Sequence, residues 1–171
     1  MEINNGMSSF PARPALTGQL LVSAIVNYLR VTPDWLDFSL EDVNADSMLN
    51  GMASQIASRY HSSIEPTELG YLLKSDGWEI SDKDFDRFEE MDHFLRREEN
   101  KLIQRWLDDN TIDQPIAKKT RVTCLIREKT GVIDCLCHYI PGSYFVKPDI
   151  IEGDNKTIRW ICLFENVSVV D

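Results

Sequence analysis

The sequence lacks a membrane span and a secretory signal. Its longest apolar run, residues 20–26, is interrupted by Ser23 and falls well short of the roughly 18–20 residues that a transmembrane helix needs. The first seven residues contain no lysine or arginine, whereas a signal peptide begins with a basic segment. These absences predict a soluble, cytoplasmic protein that makes no membrane contact. Met7 is an alternative start for the chain.

The common motifs for phosphate, nucleotide or zinc chemistry are also missing. The 8 glycines are scattered, and no phosphate loop, dinucleotide fingerprint, nucleophile elbow or H-E-x-x-H pair is present. Residues 90–93 contain one Glu-x-x-His pair, but a di-iron bundle needs that motif twice and two further carboxylates. We therefore predict no cofactor and no catalytic residue. An enzyme with dispersed catalytic carboxylates stays open as an alternative.

What the chain does carry is an excess of acid along the first two thirds of its length. Asp and Glu outnumber Lys and Arg by 28 to 18, which gives a net charge of −10. Residues 1–115 hold 21 acidic and 10 basic side chains, whereas residues 116–171 hold 7 and 8. A nucleic-acid-binding protein needs a basic face to neutralise phosphates, so the charge argues against direct nucleic-acid binding.

The acidic side chains are densest in two segments, which we predict to contact a basic protein partner. The predicted contact residues are Asp34, Asp37, Glu41, Asp42, Asp46, Asp82, Asp84, Asp86, Glu89, Glu90 and Asp92. Complementary charge speeds association and sets specificity, and the groove of a nucleic-acid-binding protein would suit such a surface. The favoured function is a non-catalytic protein that binds a basic partner and could inhibit it, as accessory or counter-defence factors of phages and mobile elements do. The alternative is that the charges only keep the protein in solution.

All four cysteines, Cys124, Cys135, Cys137 and Cys162, lie inside apolar segments of the last third. Cys135 and Cys137 share one face of a predicted strand. A three-residue hairpin turn places Cys124 opposite Leu136, and a two-residue turn places it opposite Cys135. We expect buried thiols. The alternatives are a metal site built from the four thiols, which C-x-C in mid-strand fits poorly, or a small thiol-dependent enzyme.

The spacing of apolar residues divides the chain into helices followed by strands, which is typical of an α+β fold. The predicted helices cover residues 17–30, 39–60, 66–73 and 81–109. The predicted strands cover residues 121–128, 132–139, 143–151 and 157–164, with hairpin turns at 129–131 and 152–156. In the first turn Gly131 is expected to take a left-handed backbone conformation, with positive φ, at a bulge. Residues 167–170 extend the last strand or form a fifth.

These elements predict a flexible N-terminal arm, residues 1–15, and a single α+β domain over 16–171. The domain has a helical part (16–110), a linker (111–119) and a sheet part (120–171). Three or four helices, one of them long, pack on one face of an antiparallel meander of about four strands. The expected core includes Trp78, Phe85, Phe88, Trp106, Leu125, Ile133, Trp160, Ile161 and Leu163.

Overall fold

A computed structural model of the chain describes residues 11–112, 116–149 and 158–170. The helices are α1 (Gly18–Val31), α2 (Ala45–Arg59), α3 (Pro66–Ser75) and α4 (Asp82–Asp109), with a 3-10 turn at Pro33–Trp35. The strands are β1 (Arg121–Cys124), β2 (Lys129–Leu136), β3 (Ser143–Pro148), β4 (Trp160–Leu163) and β5 (Val167–Val169). The predicted α+β order, helices before an antiparallel sheet, is confirmed, and in the described part of the chain the sheet has five strands rather than about four. Within the described residues, no helix is both long and apolar enough to cross a membrane.

The chain forms two compact units. The helical unit is Ala15–Lys101, and the sheet unit combines Met1–Pro14 with Leu102–Asp171. Each unit has its own cluster of buried apolar side chains. The prediction of one folding domain stays a prediction, because two compact units can still unfold in a single transition.

The core of the helical unit follows the apolar spacing of α1. Ile25, Tyr28 and Leu29 are buried at helical intervals, as predicted, and they pack with buried residues of α2, α3 and α4. The start of α2 differs from the prediction, which placed it at Ser39. Ser39 and Asp42 instead form one of several consecutive turns, in which the Ser39 N–H donates to the Asp42 carboxylate at 3.2 Å. A capping-type hydrogen bond therefore closes a turn here without starting a helix.

The sheet is antiparallel throughout, in the order β4-β3-β2-β1-β5. The two edge strands, β4 and β5, are separated in sequence only by the 3-10 turn Phe164–Asn166. So short a connection requires the sheet to curl until its two edges approach each other. The buried side chains inside the curl include Val122, Ile133 and Tyr144, and they pack with Ile103 and Leu107 from the end of α4.

The first hairpin has a different turn from the predicted one. Cys124 pairs with Lys129, so the turn is Leu125–Glu128 and the predicted turn residues 129–131 lie in β2. Glu128 takes the positive φ of 53° that was expected of Gly131. Gly131 is required instead for close packing, because a Cβ there would lie 2.5 Å from the Lys147 carbonyl oxygen.

The structure also differs from the prediction in the register of the cysteines and in part of the expected core. Neither register considered for Cys124 occurs, because it faces neither Leu136 nor Cys135. Two predicted core residues, Leu125 and Ile161, are exposed. Phe88 and Ile133 are fully buried as predicted. The second predicted turn, residues 152–156, lies outside the described residues.

Candidate functional site

The first acidic segment, residues 34–46, lies on the surface of the helical unit. Asp34, Asp37, Glu41, Asp42 and Asp46 are all exposed. The segment contains no lysine or arginine. Two of its carboxylates form ion pairs with arginines from elsewhere in the unit, at 3.1 Å for Asp34 and 2.7 Å for Asp46. Exposed ion pairs of this kind contribute little to stability, so folding does not explain the acidic content of the segment.

Apolar side chains lie exposed in and beside the same segment. Val43 is fully exposed, Leu40 is 39% exposed, and Met48 in the second turn of α2 is 43% exposed. Leu40 and Val43 flank Glu41 and Asp42 in the sequence. Apolar groups surrounded by charged ones are the composition of a protein-binding surface, where apolar contacts supply affinity and charges surround them.

The second acidic segment, the start of α4, divides into surface and internal carboxylates. Four of its predicted contact residues are exposed, namely Asp82, Asp86, Glu89 and Glu90. The other two, Asp84 and Asp92, are only 7% exposed and make hydrogen bonds within the unit. The predicted contact surface is therefore corrected to nine of the eleven residues.

Asp84 stabilises the first turn of α4. Its carboxylate accepts hydrogen bonds from the Ser81 backbone N–H at 2.7 Å, the Ser81 hydroxyl at 2.6 Å and Arg87 at 2.9 Å. Burial opposes the charged form, but these hydrogen bonds and the arginine charge outweigh it, so the pKa of Asp84 is lowered from its usual value. An acidic group at a helix N-terminus is also favoured by the helix dipole.

Asp92 in α4 has two polar partners, one on its own helix and one just after the end of α2. It accepts hydrogen bonds from the Tyr60 hydroxyl at 3.0 Å and from Arg96 at 2.6 Å. Burial, together with the neighbouring Asp92 charge, raises the pKa of Tyr60, so the phenol remains a donor. The Asp92 carboxylate is therefore part of the packed interior of the helical unit.

Arg87 joins the two acidic segments. Its guanidinium contacts Asp84 on its own helix and Asp34 in the 3-10 turn. Beside this ion pair the ring of Trp35 packs edge-on against Phe88, with the ring centres 5.1 Å apart. The first acidic segment is thereby fixed against the start of α4 at Asp34.

The charge around this junction is negative in spite of Arg87. The pKa of Tyr28 is raised to about 12, first by burial and then by the negative charge of Glu90, with Asp34 adding to it and Arg87 opposing it. The helical unit as a whole has 17 acidic and 8 basic side chains, so its net charge is −9. The sheet unit, with 11 and 10, has a net charge of −1. The acidic excess is therefore a property of the helical unit.

The structure brings together two of the four cysteines. The Sγ atoms of Cys124 and Cys162 lie 2.7 Å apart, and both side chains are buried. Cys137 is also buried, and Cys135 is half-buried. Among the described residues, no three His, Cys, Asp or Glu side chains are grouped so that they could hold a metal ion. A structural zinc site uses four ligands, and the thiol pair supplies two of them.

Arg13, which lies in the arm predicted to be flexible, forms an anchor that no sequence pattern indicates. The Arg13 guanidinium pairs with Glu165, at 2.6 Å from Nε to Oε1, and donates to the carbonyl oxygens of Pro141 and Gly142. It also lies over the Trp106 ring, 5.5 Å from its centre. An arginine between two prolines has no periodic signal, and its partners are more than 90 residues away in the sequence.

Comparison with known proteins finds no matching family model, no matching curated protein and no matching solved structure.

Proposed function

We propose that this protein is a non-catalytic interaction protein that binds a basic protein through the acidic surface of its helical unit. That surface consists of the nine exposed carboxylates Asp34, Asp37, Glu41, Asp42, Asp46, Asp82, Asp86, Glu89 and Glu90. The observation that carries the proposal is the first acidic segment, where five exposed carboxylates occur without one basic side chain between them. A nucleic-acid-binding protein is the kind of partner whose basic groove matches such a surface, and occupying that groove would inhibit it.

The exposed apolar side chains support a protein partner rather than a small cation. Leu40 and Val43 would be buried on docking. Burying the fully exposed Val43 would contribute roughly 1.5–3 kcal/mol before the costs of association, and burying the exposed part of Leu40 would contribute less. The carboxylates around them would steer a basic surface into place. Small cations interact with the charges alone and gain nothing from the apolar groups.

Affinity capture tests the proposal. The full chain, immobilised at low salt and exposed to an extract of its native cell, should retain a basic protein that elutes as salt is raised. The captured protein should then bind the full chain in a purified assay. Its association rate should fall by about tenfold or more between low and high salt, because screening removes electrostatic steering.

A matched pair of charge reversals locates the binding surface. Glu41→Lys with Asp42→Lys should slow association by about tenfold, because two carboxylates of the surface become repulsive. Asp108→Lys with Asp109→Lys makes the same change in net charge at the exposed end of α4, and it should leave binding nearly unchanged. If the two double variants behave alike, or if binding is indifferent to salt, the acidic surface is not the binding site.

The alternative function, a small metal-binding or thiol-dependent enzyme, is less well supported. It needs Cys124, Cys135, Cys137 and Cys162 to act together, and the structure joins only the first and the last. His138, next to Cys137 in the sequence, lies against the rings of Tyr139 and Phe145.

A further inference from the structure

Cys124 and Cys162 form a contact between two strands that are not neighbours in the sheet. Cys124 ends β1 and Cys162 lies in β4, with β2 and β3 between them in the strand order. The curl of the sheet brings their sulfur atoms to 2.7 Å, and the Cys162 thiol donates to the Cys124 sulfur. A disulfide bond is about 2.05 Å long, so bond formation needs a sulfur displacement of less than about 1 Å.

We propose that Cys124 and Cys162 are a redox modification site, at which a disulfide oxidant links β1 to β4. The other two cysteines have no such arrangement. Cys135 lies in β2, and Cys137 directly follows the end of that strand at Leu136. Two residues separated by one position in an extended chain are about 6.5–7 Å apart. The structure therefore favours one pairing out of the six that four cysteines allow.

The chemistry proceeds by thiol–disulfide exchange with a small organic disulfide such as oxidised glutathione. The thiolate of one cysteine attacks a sulfur of the reagent, forms a mixed disulfide and releases one reagent thiolate. The second cysteine then attacks the protein sulfur of the mixed disulfide and releases the other. Two electrons pass from the protein sulfurs to the reagent, and the two protons end on the released thiols.

Access and ionisation control the rate of this reaction. Cys162 lies in β4, which is four residues long and, among the described strands, stands at one edge of the sheet. Local opening of this short strand would expose the buried thiol. Burial, followed by the hydrogen bond to Cys124, raises the pKa of Cys162 to about 12, and the nearby Arg127 charge opposes this shift. The reaction should therefore be slow at neutral pH and should accelerate as the pH rises.

Tryptic mapping identifies the linked pair without ambiguity. Cleavage after lysine and arginine places Cys124 in peptide 122–127 and Cys162 in peptide 160–171, whereas Cys135 and Cys137 share peptide 130–156, since Pro148 protects the bond after Lys147. The folded full chain should be treated with oxidised glutathione at pH 8–9, blocked with N-ethylmaleimide and digested. We expect a product in which peptides 122–127 and 160–171 are joined and the chain has lost about 2 Da.

Two alanine variants complete the test. Cys124→Ala should abolish the loss of two thiols, and Cys135→Ala, the matched control, should retain it. If Cys124→Ala does not fold, the peptide map of the unsubstituted chain decides alone. The proposal is overturned if the folded chain keeps four free thiols when the urea-unfolded chain is oxidised, or if peptide 130–156 takes part in the main linkage.

Discussion

Removal of the Arg13 side chain should destabilise the sheet unit far more than removal of an ordinary surface arginine. Arg13 is only 13% exposed in its side chain, and its partner Glu165 is 27% exposed. Arg13→Ala deletes two hydrogen bonds to that carboxylate and two to carbonyl oxygens. It leaves Glu165 partly buried without its charge partner. The perturbation therefore removes one side of a partly buried network, the case in which deletion is costly.

The expected magnitude follows from these contacts. Removal of one partner from a buried ion pair costs about 3–5 kcal/mol, because the other charge stays buried without its partner. Glu165 is partly open to solvent, which reduces that cost. We therefore expect Arg13→Ala to lower the free energy of unfolding by about 2–4 kcal/mol. The stability of Arg13→Lys should lie between that of the unsubstituted chain and that of Arg13→Ala, because a lysine ammonium cannot reach all four acceptors.

Urea unfolding, followed by tryptophan fluorescence and circular dichroism, measures the effect. With a urea dependence of about 2 kcal/mol per molar, the midpoint of Arg13→Ala should fall by about 1–2 M. The control is Arg121→Ala, which removes an ion pair with Asp149 in the same unit, where the arginine is 59% exposed. Its expected cost is about 0–1 kcal/mol. If the two variants unfold at the same midpoint, Arg13 is not an anchor and the arm contributes nothing to the sheet unit.

Two further predictions, each a comparison between a pair of variants, concern the helical unit. Gly51→Ala should stabilise it by about 0.5–1 kcal/mol, because an added Cβ in α2 meets no atom within 4 Å. Gly70→Ala should destabilise it by about 1–3 kcal/mol, because the Cβ would lie 2.6 Å from the Phe85 ring. Urea unfolding of the two variants measures both effects, and equal shifts of the two midpoints would contradict the close contact between Gly70 and Phe85. Asp84→Asn should lower stability at pH 7, and this loss should shrink as the pH falls below the usual carboxyl pKa of 3.8, because the lowered pKa of Asp84 stabilises the fold only while the carboxyl is charged. Asp86→Asn, at an exposed position, should change the midpoint little at either pH, and an equal effect of both variants would refute the role of Asp84.

The order and type of the elements could be predicted from the sequence because apolar spacing is a local property. The stripe Leu21, Ile25 and Leu29 repeats at helical intervals, and the strands begin where that spacing ends. The boundaries were less predictable. Ser39 satisfies the local pattern of a helix start, but its hydrogen bond with Asp42 closes a turn instead. The local sequence is compatible with a helix start and with a turn, and the structure has the turn.

The candidate sites depend on contacts between residues that are far apart in the sequence, and the spacing of apolar residues does not predict such contacts. Asp92 accepts a hydrogen bond from Tyr60, which is 32 residues away in the sequence. Composition alone therefore predicts an exposed carboxylate at a position that is buried in the structure. The thiol pair depends on the curl of the sheet, which brings together strands 38 residues apart. The hairpin error had a simpler cause: Gly131 was assigned to a turn for its conformational freedom, whereas its role is to leave space for β3.

The helical unit, residues 15–101, carries a net charge of −9, whereas the sheet unit carries −1. A net charge of magnitude about 2–8 is enough to keep a small domain in solution. An excess of negative charge lowers stability through self-repulsion. Among the predicted contact residues, only Asp84 and Asp92 are buried, where their hydrogen bonds offset this cost. Salt screens that repulsion and thus favours the folded unit, whereas it weakens attraction to a basic partner. Release of a bound protein by salt therefore cannot be caused by electrostatic unfolding of this unit, because screening acts on the two processes with opposite sign.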